Sequence, residues 1–186
     1  MSEPLAFATP QNWGAWLETH HATQTEAVLK LYKKASHIPS ITWEEAVIEA
    51  LAFGWIDGIK RPGDDQHWLQ RFTPRKPRSG WSQKNRAHAE RLIADGRMTP
   101  AGLAQVQAAK ADGRWDAAYA GGKDAQVPQD FLDALTPEAA RTYATLNAQN
   151  RFAIYYRLTT AKRPETRAKR LADFVAMLER GDSPYP

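Results

Sequence analysis

The sequence predicts a predominantly helical α+β protein with a small antiparallel β-sheet packed on helices. Two segments rich in β-branched and aromatic residues flank a Pro-Gly-Asp-Asp turn, which predicts a β-hairpin over about 55–73. The 186 residues are 42% hydrophobic, enough to bury a core without covalent cross-links. Helix starts of one kind, a capping Thr followed by Pro, recur at Thr9-Pro10, Thr99-Pro100 and Thr136-Pro137.

The N-terminal third predicts a helix, a strand and a second helix. The first helix presents one apolar face, formed by Trp13, Trp16, Leu17 and His20. Residues 26–34 are β-branched and aromatic with partial alternation, which predicts a strand. Residues 40–54 predict the clearest helix. Thr42 is its N-cap, Glu45 completes a capping box, and Gly54 follows its C-terminus.

The middle and the end of the chain predict the hairpin and further helices. Strands 55–60 and 67–73 flank the turn and extend the earlier strand to a three-stranded sheet. Pro74 and Pro77 cannot continue a central strand, so residues 74–80 form a loop. The remaining helices run from the Ser82 cap to about Ala94, from Thr99 to Gly113, and over about 129–135, 137–148, 149–161 and 164–180.

Residues 116–128 are small, glycine-bearing and without periodicity, which is typical of a loop or a boundary. The predicted organisation is an N-terminal helical and hairpin region over 1–116 and a linker or loop over 117–128. A C-terminal helical region over 129–181 packs back on the first. One compact domain is the alternative reading of the same pattern.

Charge is concentrated in two basic blocks. Residues 60–91 hold nine Lys and Arg against three acids, and residues 151–170 hold seven against one, although the net charge is only +4. If the blocks meet, they form one surface that attracts anions; the alternative is two separate solvated faces. The lack of cysteine, of a signal-like N-terminus and of long apolar runs predicts a cytoplasmic protein without membrane insertion.

Several chemistries lack their residue patterns. The five histidines show no metal-ligand spacing, and no phosphate-binding glycine loop or GxSxG elbow occurs. No metal and no cofactor are therefore expected. Ser82 is more simply a helix cap than a nucleophile. Basic residues interleaved with Trp and Phe are also the ingredients of a single-stranded nucleic-acid surface, which keeps nucleic acid as a weaker partner hypothesis.

Asp57 is the candidate catalytic residue. It lies in an apolar context between a helix end and a turn, where a carboxylate needs a hydrogen bond or an ion pair. A structural tie to Arg71 or Arg75 across the hairpin, or to an arginine of the C-terminal segment, is one interpretation. A general base or polar anchor inside a pocket is the other.

The C-terminal helix carries an arginine stripe. At helical spacing Arg163, Arg167 and Arg170 share a side that continues into the apolar stripe of the later turns. These arginines are therefore expected to point at, or along the edge of, the protein body, where their guanidinium groups bind carboxylates or phosphates. The alternative is that they extend along the core edge with their charges in water.

Long motifs resemble a known family. The segments "WEEAVIEALAFGWIDGIKR", "QRFTPRKPRSGWSQKNRAHAERLIADGRMTPAGLAQVQAAKADGRW" and "AKRPETRAKRLADFVAMLERG" are similar to the YdeI/OmpD-associated (OmdA), or bacteriocin-protection, family over nearly the whole chain. The resemblance implies a link to stress and to antimicrobial-peptide resistance, and it supplies no reaction, cofactor or catalytic residue. Relatives often carry Cys where this chain has Ala52, so a thiol at that position cannot be essential here.

The leading hypothesis is a cytoplasmic binding protein of this type, with a basic, aromatic-lined pocket for a small anionic or nucleotide-like ligand. The alternatives are an enzyme that uses Asp57 as a general base beside arginine charge, a single-stranded nucleic-acid binder, and a purely structural interaction module. The sequence does not indicate an oligomeric state. The predicted ligand-binding residues are Trp55, Asp57, Arg71, Arg75, Trp81, Asn85, Lys162, Arg163, Arg167 and Arg170.

Overall fold

The computed structural model describes residues 3–185, apart from the side chain of Lys123. Over these residues it has four strands and eight α-helices, so the predicted class is confirmed. None of these helices is long and apolar enough to cross a lipid bilayer. In chain order the elements are β1 (Leu5–Ala6), α1 (Pro10–His20), β2 (Ala27–Tyr32), α2 (Trp43–Ala52), β3 (Trp55–Pro62), β4 (His67–Pro74), α3 (Gln83–Ala94), α4 (Pro100–Ala111), α5 (Gln129–Asp133), α6 (Pro137–Thr145), α7 (Ala148–Thr159) and α8 (Pro164–Glu179).

The chain forms two compact units that divide between Ala118 and Tyr119. This division lies within residues 116–128, the segment in which the sequence places a boundary or loop. The first unit holds the whole sheet and helices α1 to α4, and the second unit holds helices α5 to α8.

The sheet of the first unit has the strand order β1-β2-β4-β3. The hairpin β3–β4 is antiparallel, which confirms the predicted hairpin. Strand β2 joins it, as the sequence predicts for a third strand, and pairs antiparallel with β4. The sheet is mixed, however, because β1 pairs parallel to β2, with Leu5 opposite Leu29. A strand of two residues has no alternation by which the sequence could predict it.

The core lies between one face of the sheet and the helices. Trp13, Leu29 and Phe72 are at most 1% exposed and belong to one continuous apolar cluster. The indole N–H of Trp13 donates to the Ala46 carbonyl oxygen at 3.1 Å, so the donor of this fully buried ring has an acceptor. Helix α2 packs against α1, α3, α4 and β3 and is therefore the central helix of the unit.

Side-chain caps fix the helix starts as the sequence predicts. The hydroxyl groups of Thr9, Thr99 and Thr136 each accept the backbone N–H of the residue three positions on. At α2 the Thr42 N–H donates to Glu45 Oε2 at 2.8 Å, and Thr42 Oγ1 accepts the Glu45 N–H, which completes the capping box. These contacts place Trp43, the residue after Thr42, in the exposed first turn of α2.

The hairpin contains an irregularity beside Asp57. The pairing of β3 with β4 shifts register between Asp57 and Lys60, as at a β-bulge. The Gln70 side-chain amide donates to the Gly58 carbonyl oxygen at 2.9 Å. This bond supplies a partner for a backbone acceptor at the point where the pairing of the two strands is interrupted. Since side chains alternate along a strand, Asp57 lies on the same inner face of β3 as the buried Trp55.

The second unit is a small helical bundle. Helix α8 packs against α6 and α7, and its core includes Phe131, Ile154, Leu158, Phe174 and Leu178. The predicted boundary between α6 and α7 is wrong by a few residues. Helix α6 ends at Thr145 because Leu146 is extended, and Asn147 caps α7 by accepting the Asn150 N–H at 2.9 Å.

Candidate functional site

The first unit contains a groove of about 600 Å³ with an aromatic and basic lining. Its volume falls in the range of small-molecule sites. No acidic side chain lines it. We call it the basic aromatic groove, and its lining residues are Tyr32, Lys33, Lys34, His37, Ile38, Pro39, Ser40, Ile41, Thr42, Trp43 and Trp68.

Three chain segments build the groove. Tyr32 is the last residue of β2, Trp68 lies at the beginning of β4, and Trp43 is the first residue of α2. The loop over 33–42 is held on both sides. The Tyr32 backbone N–H donates to Ser40 Oγ at 3.1 Å, and the Ile41 N–H donates to a carbonyl oxygen in the N-terminal segment at 3.1 Å. The aromatic rings therefore project from anchored backbone.

Positive charge surrounds the aromatic walls. Lys60 Nζ lies 4.8 Å from the centroid of the Trp68 ring, and Lys84 Nζ lies 5.4 Å from that of Trp43. Both distances are within the range of cation–π contacts. Lys84 also pairs with Glu44 at 3.0 Å, so part of its charge is neutralised beside the groove. The combination offers flat apolar faces next to several cations.

Asp57 is hydrogen-bonded to Trp43 but does not itself line the groove. The indole N–H of Trp43 donates to the Asp57 carboxylate, and the positive charge of Arg75 acts on the same carboxylate. Burial nevertheless raises the pKa of Asp57, because these contacts only partly offset the loss of water. The Asp57 carboxylate thus orients the exposed Trp43 ring, which is 38% exposed.

The raised pKa of Asp57 is also a property of general bases, since it brings a carboxylate closer to neutral pH. It is the feature on which the enzyme hypothesis rests. The Trp43 N–H already uses part of the acceptor capacity of the carboxylate. Catalysis by Asp57 stays a hypothesis.

Arg75 is buried and its guanidinium group lies over the ring of Trp81. It is 5% exposed, and its guanidinium carbon lies 3.6 Å from the centroid of the Trp81 ring. Its Nη1 donates to the Gly80 carbonyl oxygen at 3.1 Å. Trp81 makes an edge contact with Trp115 at 4.9 Å. The Arg75 side chain therefore joins the two ends of the loop over 75–80. Its buried positive charge also opposes the rise in the pKa of Asp57.

The other predicted residues of the first unit lie apart from the groove lining. Trp55 and Trp81, predicted as ligand-binding residues, are 1% and 2% exposed and pack in the core. Arg71 Nε donates to Glu26 Oε2 at 2.8 Å and does not line the basic aromatic groove. Asn85 lies in the first turn of α3, where its backbone N–H donates to the hydroxyl group of the capping residue.

The predicted arginine stripe lies in the second unit. Arg167 forms a bidentate pair with Asp130 at 2.6 and 2.8 Å, and this pair lowers the pKa of Asp130. Arg170 Nη1 donates to the Arg157 carbonyl oxygen at 2.6 Å. Lys162 and Arg163 are exposed at the start of α8. Two of the arginines thus run along the edge of their own bundle; an encounter with the first basic block stays a prediction.

Two family models match different parts of the chain. Residues 5–105, more than half of the sequence, match the model described as "Domain of unknown function (DUF8412)". The chain belongs to this family. Residues 124–181 match the model described as "Bacteriocin-protection, YdeI or OmpD-Associated". No match was found among curated proteins or among solved structures.

The motifs resemble the OmdA family over nearly the whole chain, whereas the family models assign its two parts to two different families. The OmdA family is confirmed over 124–181, which includes the arginine stripe of α8. The motif around Asp57 lies within the DUF8412 match instead. The basic aromatic groove and Trp43 lie within that DUF8412 match as well. The candidate site thus belongs to the DUF8412 part of the chain.

The sequence interpretation missed the residues that line the groove. Trp43 is part of a helix start, and Tyr32 and Trp68 read as ordinary strand residues. The one local signal was the pair Lys33-Lys34 directly after an aromatic strand end. Among the described residues no group of three or more His, Asp or Glu side chains is placed to hold a metal ion.

We expect the substitution Asp57→Asn to stabilise the first unit at pH 7 and therefore to raise its melting temperature. Asparagine keeps an acceptor for the Trp43 N–H and removes a charge that burial disfavours. Because the pKa of Asp57 is raised on folding, the wild-type protein gains stability as the pH falls through this raised pKa. The difference between the two proteins in thermal denaturation should therefore shrink toward acidic pH.

Asp64→Asn is the matched control, and its effect on the melting temperature should have the opposite sign. Asp64 accepts the backbone N–H groups of Gln66 and His67 at 2.8 and 3.0 Å, and these bonds lower its pKa. Its contribution to stability is present above the unfolded pKa and is lost as the pH falls, so Asp64→Asn should lower the melting temperature at pH 7. A large drop for Asp57→Asn at pH 7 would instead support the structural tie between Asp57 and Arg75.

Proposed function

We propose that the protein is a binding protein whose basic aromatic groove takes a small nucleotide-like anion, an aromatic ring that carries phosphate. One observation carries this proposal. A groove of about 600 Å³ combines three aromatic side chains with two lysines and a histidine, and none of its lining residues is acidic. A nucleoside phosphate has the matching parts, since its base is flat and its phosphate is negatively charged.

The two parts of such a ligand have separate places in the groove. The base stacks on Trp43 or Trp68, whose rings lie beside Lys84 and Lys60. Stacking of a base on an aromatic side chain contributes about 1–3 kcal/mol. The phosphate faces the loop that carries Lys33, Lys34 and His37, where the positive charge accumulates.

The shape of this loop supports a binding role. His37 follows a short 3₁₀ turn over Lys34–Ser36 with a φ of 55°, a left-handed conformation that is uncommon outside glycine, although histidine adopts it more often than most residues. Such conformations are common at ligand-binding loops. Here the turn presents Lys34 and His37 on the rim, and both are exposed.

The charge and the size of the groove argue against two other ligand classes. Aromatic cages for quaternary ammonium groups need low positive charge, and lysines next to both tryptophans would repel a cation. An extended single strand of nucleic acid requires a longer track of bases and phosphates than one groove of this size provides. Nucleic acid is therefore the weaker hypothesis.

The biological setting that we propose follows the second family match. That match is described as "Bacteriocin-protection, YdeI or OmpD-Associated". We place the binding function in a pathway of stress or antimicrobial-peptide resistance. We also place it in the cytoplasm, because a chain without cysteine fits a reducing compartment. In this scheme the nucleotide-like ligand occupies the DUF8412 part.

Isothermal titration with adenosine 5′-monophosphate, adenosine and ribose 5-phosphate tests the proposal. We expect the complete nucleotide to bind with one site per chain. Ribose 5-phosphate, which lacks the base, should bind roughly 5- to 150-fold more weakly. Adenosine, which lacks the phosphate, should lose the dependence on salt that screening imposes on the charged ligand.

Two results would contradict the proposal. The absence of saturable binding by the nucleotide would exclude this ligand class, and equal binding of all three compounds would exclude the division between base and phosphate. A single-stranded oligonucleotide completes the design. If the oligonucleotide binds with a steep salt dependence and the mononucleotide does not bind, the nucleic-acid hypothesis replaces the small-ligand hypothesis.

A further inference from the structure

A second groove, of about 470 Å³, lies on the open face of the sheet. Its floor is apolar and is formed by Val28 of β2, Ile59 of β3 and Leu69 of β4. Helices cover the other face of the sheet, the one that carries Leu29 and Phe72. We call it the sheet-face groove. None of its lining residues lines the basic aromatic groove.

The apolar floor is unusual for an open sheet face. On such a face the outward residues are commonly polar, because they contact water. Here Ile59 is 61% exposed, and Val28 and Leu69 are only partly buried. An exposed apolar surface with a polar rim is typical of a binding site. The volume lies in the range of sites for small molecules.

The rim carries charges of both signs. Two arginines and two glutamates line the groove, so that its formal charge is zero: Arg61, Arg71, Glu3 and Glu26. Arg71 Nε donates to Glu26 Oε2 at 2.8 Å, and the two side chains are 43% and 25% exposed. Their outward surfaces remain within reach of a ligand. A rim of this kind complements a ligand with one positive and one negative group.

Addition of another strand at the neighbouring edge of the sheet is disfavoured. The exposed edge strand β3 has a register shift between Asp57 and Lys60 and then carries Lys60, Arg61 and Pro62. Bulges, charged residues and proline are the features that protect sheet edges from pairing with other chains. A small molecule is therefore a better occupant for the groove than a strand of a partner.

We infer that the sheet-face groove binds a small apolar zwitterion, the chemistry of a free hydrophobic amino acid. The ligand carboxylate pairs with the arginines, its ammonium group pairs with the glutamates, and its apolar side chain covers Ile59 and Leu69. Planar guanidinium groups bind carboxylates in a bidentate manner, which fixes the orientation of the ligand. This site is independent of the proposed nucleotide site.

Titration with three leucine compounds tests the inference. Free leucine carries both charges, N-acetylleucine carries only the negative one, and leucinamide carries only the positive one. In isothermal titration or ligand-observed NMR, leucine should bind saturably to the full chain. Each singly charged analogue should bind about tenfold more weakly, because it leaves one kind of charged partner without its bond.

Two variants locate the binding. Ile59→Ser removes an apolar side chain that is 61% exposed and leaves the core untouched. It should weaken leucine binding several-fold. Ile38→Ser, at a residue of the basic aromatic groove that is 39% exposed, is the matched control and should have no effect.

The outcomes decide the inference. It is overturned if leucine does not bind at concentrations up to tens of millimolar. It is also overturned if all three compounds bind equally, since the charges then play no part. Binding that is insensitive to Ile59→Ser, or that Ile38→Ser weakens instead, would place the ligand elsewhere. None of these results depends on whether adenosine 5′-monophosphate binds.

Discussion

Replacing Trp43 by alanine is expected to weaken binding of adenosine 5′-monophosphate roughly 5- to 150-fold, and replacing Trp68 should have an effect of the same order. Each substitution removes one stacking face of the groove, and a stacked base contributes about 1–3 kcal/mol. Trp43→Phe is the informative second variant. It keeps an aromatic face but lacks the N–H that donates to Asp57, so most of the affinity should remain. Isothermal titration measures all three.

The control for these variants is Ile93→Ala. Ile93 lies on α3, is 40% exposed and does not line the groove, so its removal tests for unspecific effects. Circular dichroism should show that each variant is folded. Unchanged nucleotide affinity in both Trp43→Ala and Trp68→Ala would exclude the groove as the binding site, whatever the affinity of the wild-type protein.

Replacing Gly102 by valine is expected to destabilise the first unit by at least about 1–3 kcal/mol, the usual cost of overpacking. A Cβ atom at this position would lie 2.8 Å from the Leu51 carbonyl oxygen and closer still to that of Ala52 and to the Met98 sulfur. The two carbonyl groups belong to α2, so α2 and α4 would have to separate. Thr99 resists this separation, since its hydroxyl donates to the Ala52 carbonyl oxygen at 2.7 Å.

Unfolding in urea, followed by tryptophan fluorescence, measures this effect. All seven tryptophans lie in the first unit, so the signal reports on that unit. Ala104→Val adds a comparable side chain on the exposed face of the same helix and should cost less than about 1 kcal/mol, the propensity difference alone. Equal unfolding midpoints for Gly102→Val and Ala104→Val would show that the close approach of α2 and α4 is not needed for stability.

The features that the sequence predicts well are local. The caps at Thr9, Thr42, Ser82, Thr99 and Thr136 each join residues three positions apart, so a short window contains the whole motif. The hairpin is local as well, because the turn residues lie between its two strands. Strand β1 escapes prediction because its two residues show no alternation, so that only its pairing with β2 defines it as a strand.

The groove could not be predicted because it depends on three distant segments. Tyr32, Trp43 and Trp68 come together only when β4 pairs with β2 and α2 begins beside the end of these strands. Each of these residues has an ordinary local explanation. Aromatic residues occur in strands for packing alone, and nothing in their spacing distinguishes a wall of a groove from a core position.

The charged residues show a related limit. The sequence indicates that Asp57 needs a partner, and the Arg75 charge does act on it, but the hydrogen bond from Trp43 could not be foreseen. Arg71 and Arg167 were candidates for an anion. They pair with Glu26 and Asp130, acids whose positions depend on tertiary structure. Counting charges along the sequence therefore identifies basic segments, but it does not identify the acid with which each arginine pairs.

The central claim is that a nucleotide-like anion stacks on Trp43 and Trp68. The most direct measurement is the ¹H–¹⁵N correlation spectrum of the seven indole N–H groups during titration with adenosine 5′-monophosphate. Trp43→Phe and Trp68→Phe assign their two signals. These two signals should shift saturably, whereas the signal of Trp13, whose N–H donates to Ala46 inside the core, should not move. Titration without a shift of either groove signal would contradict the claim.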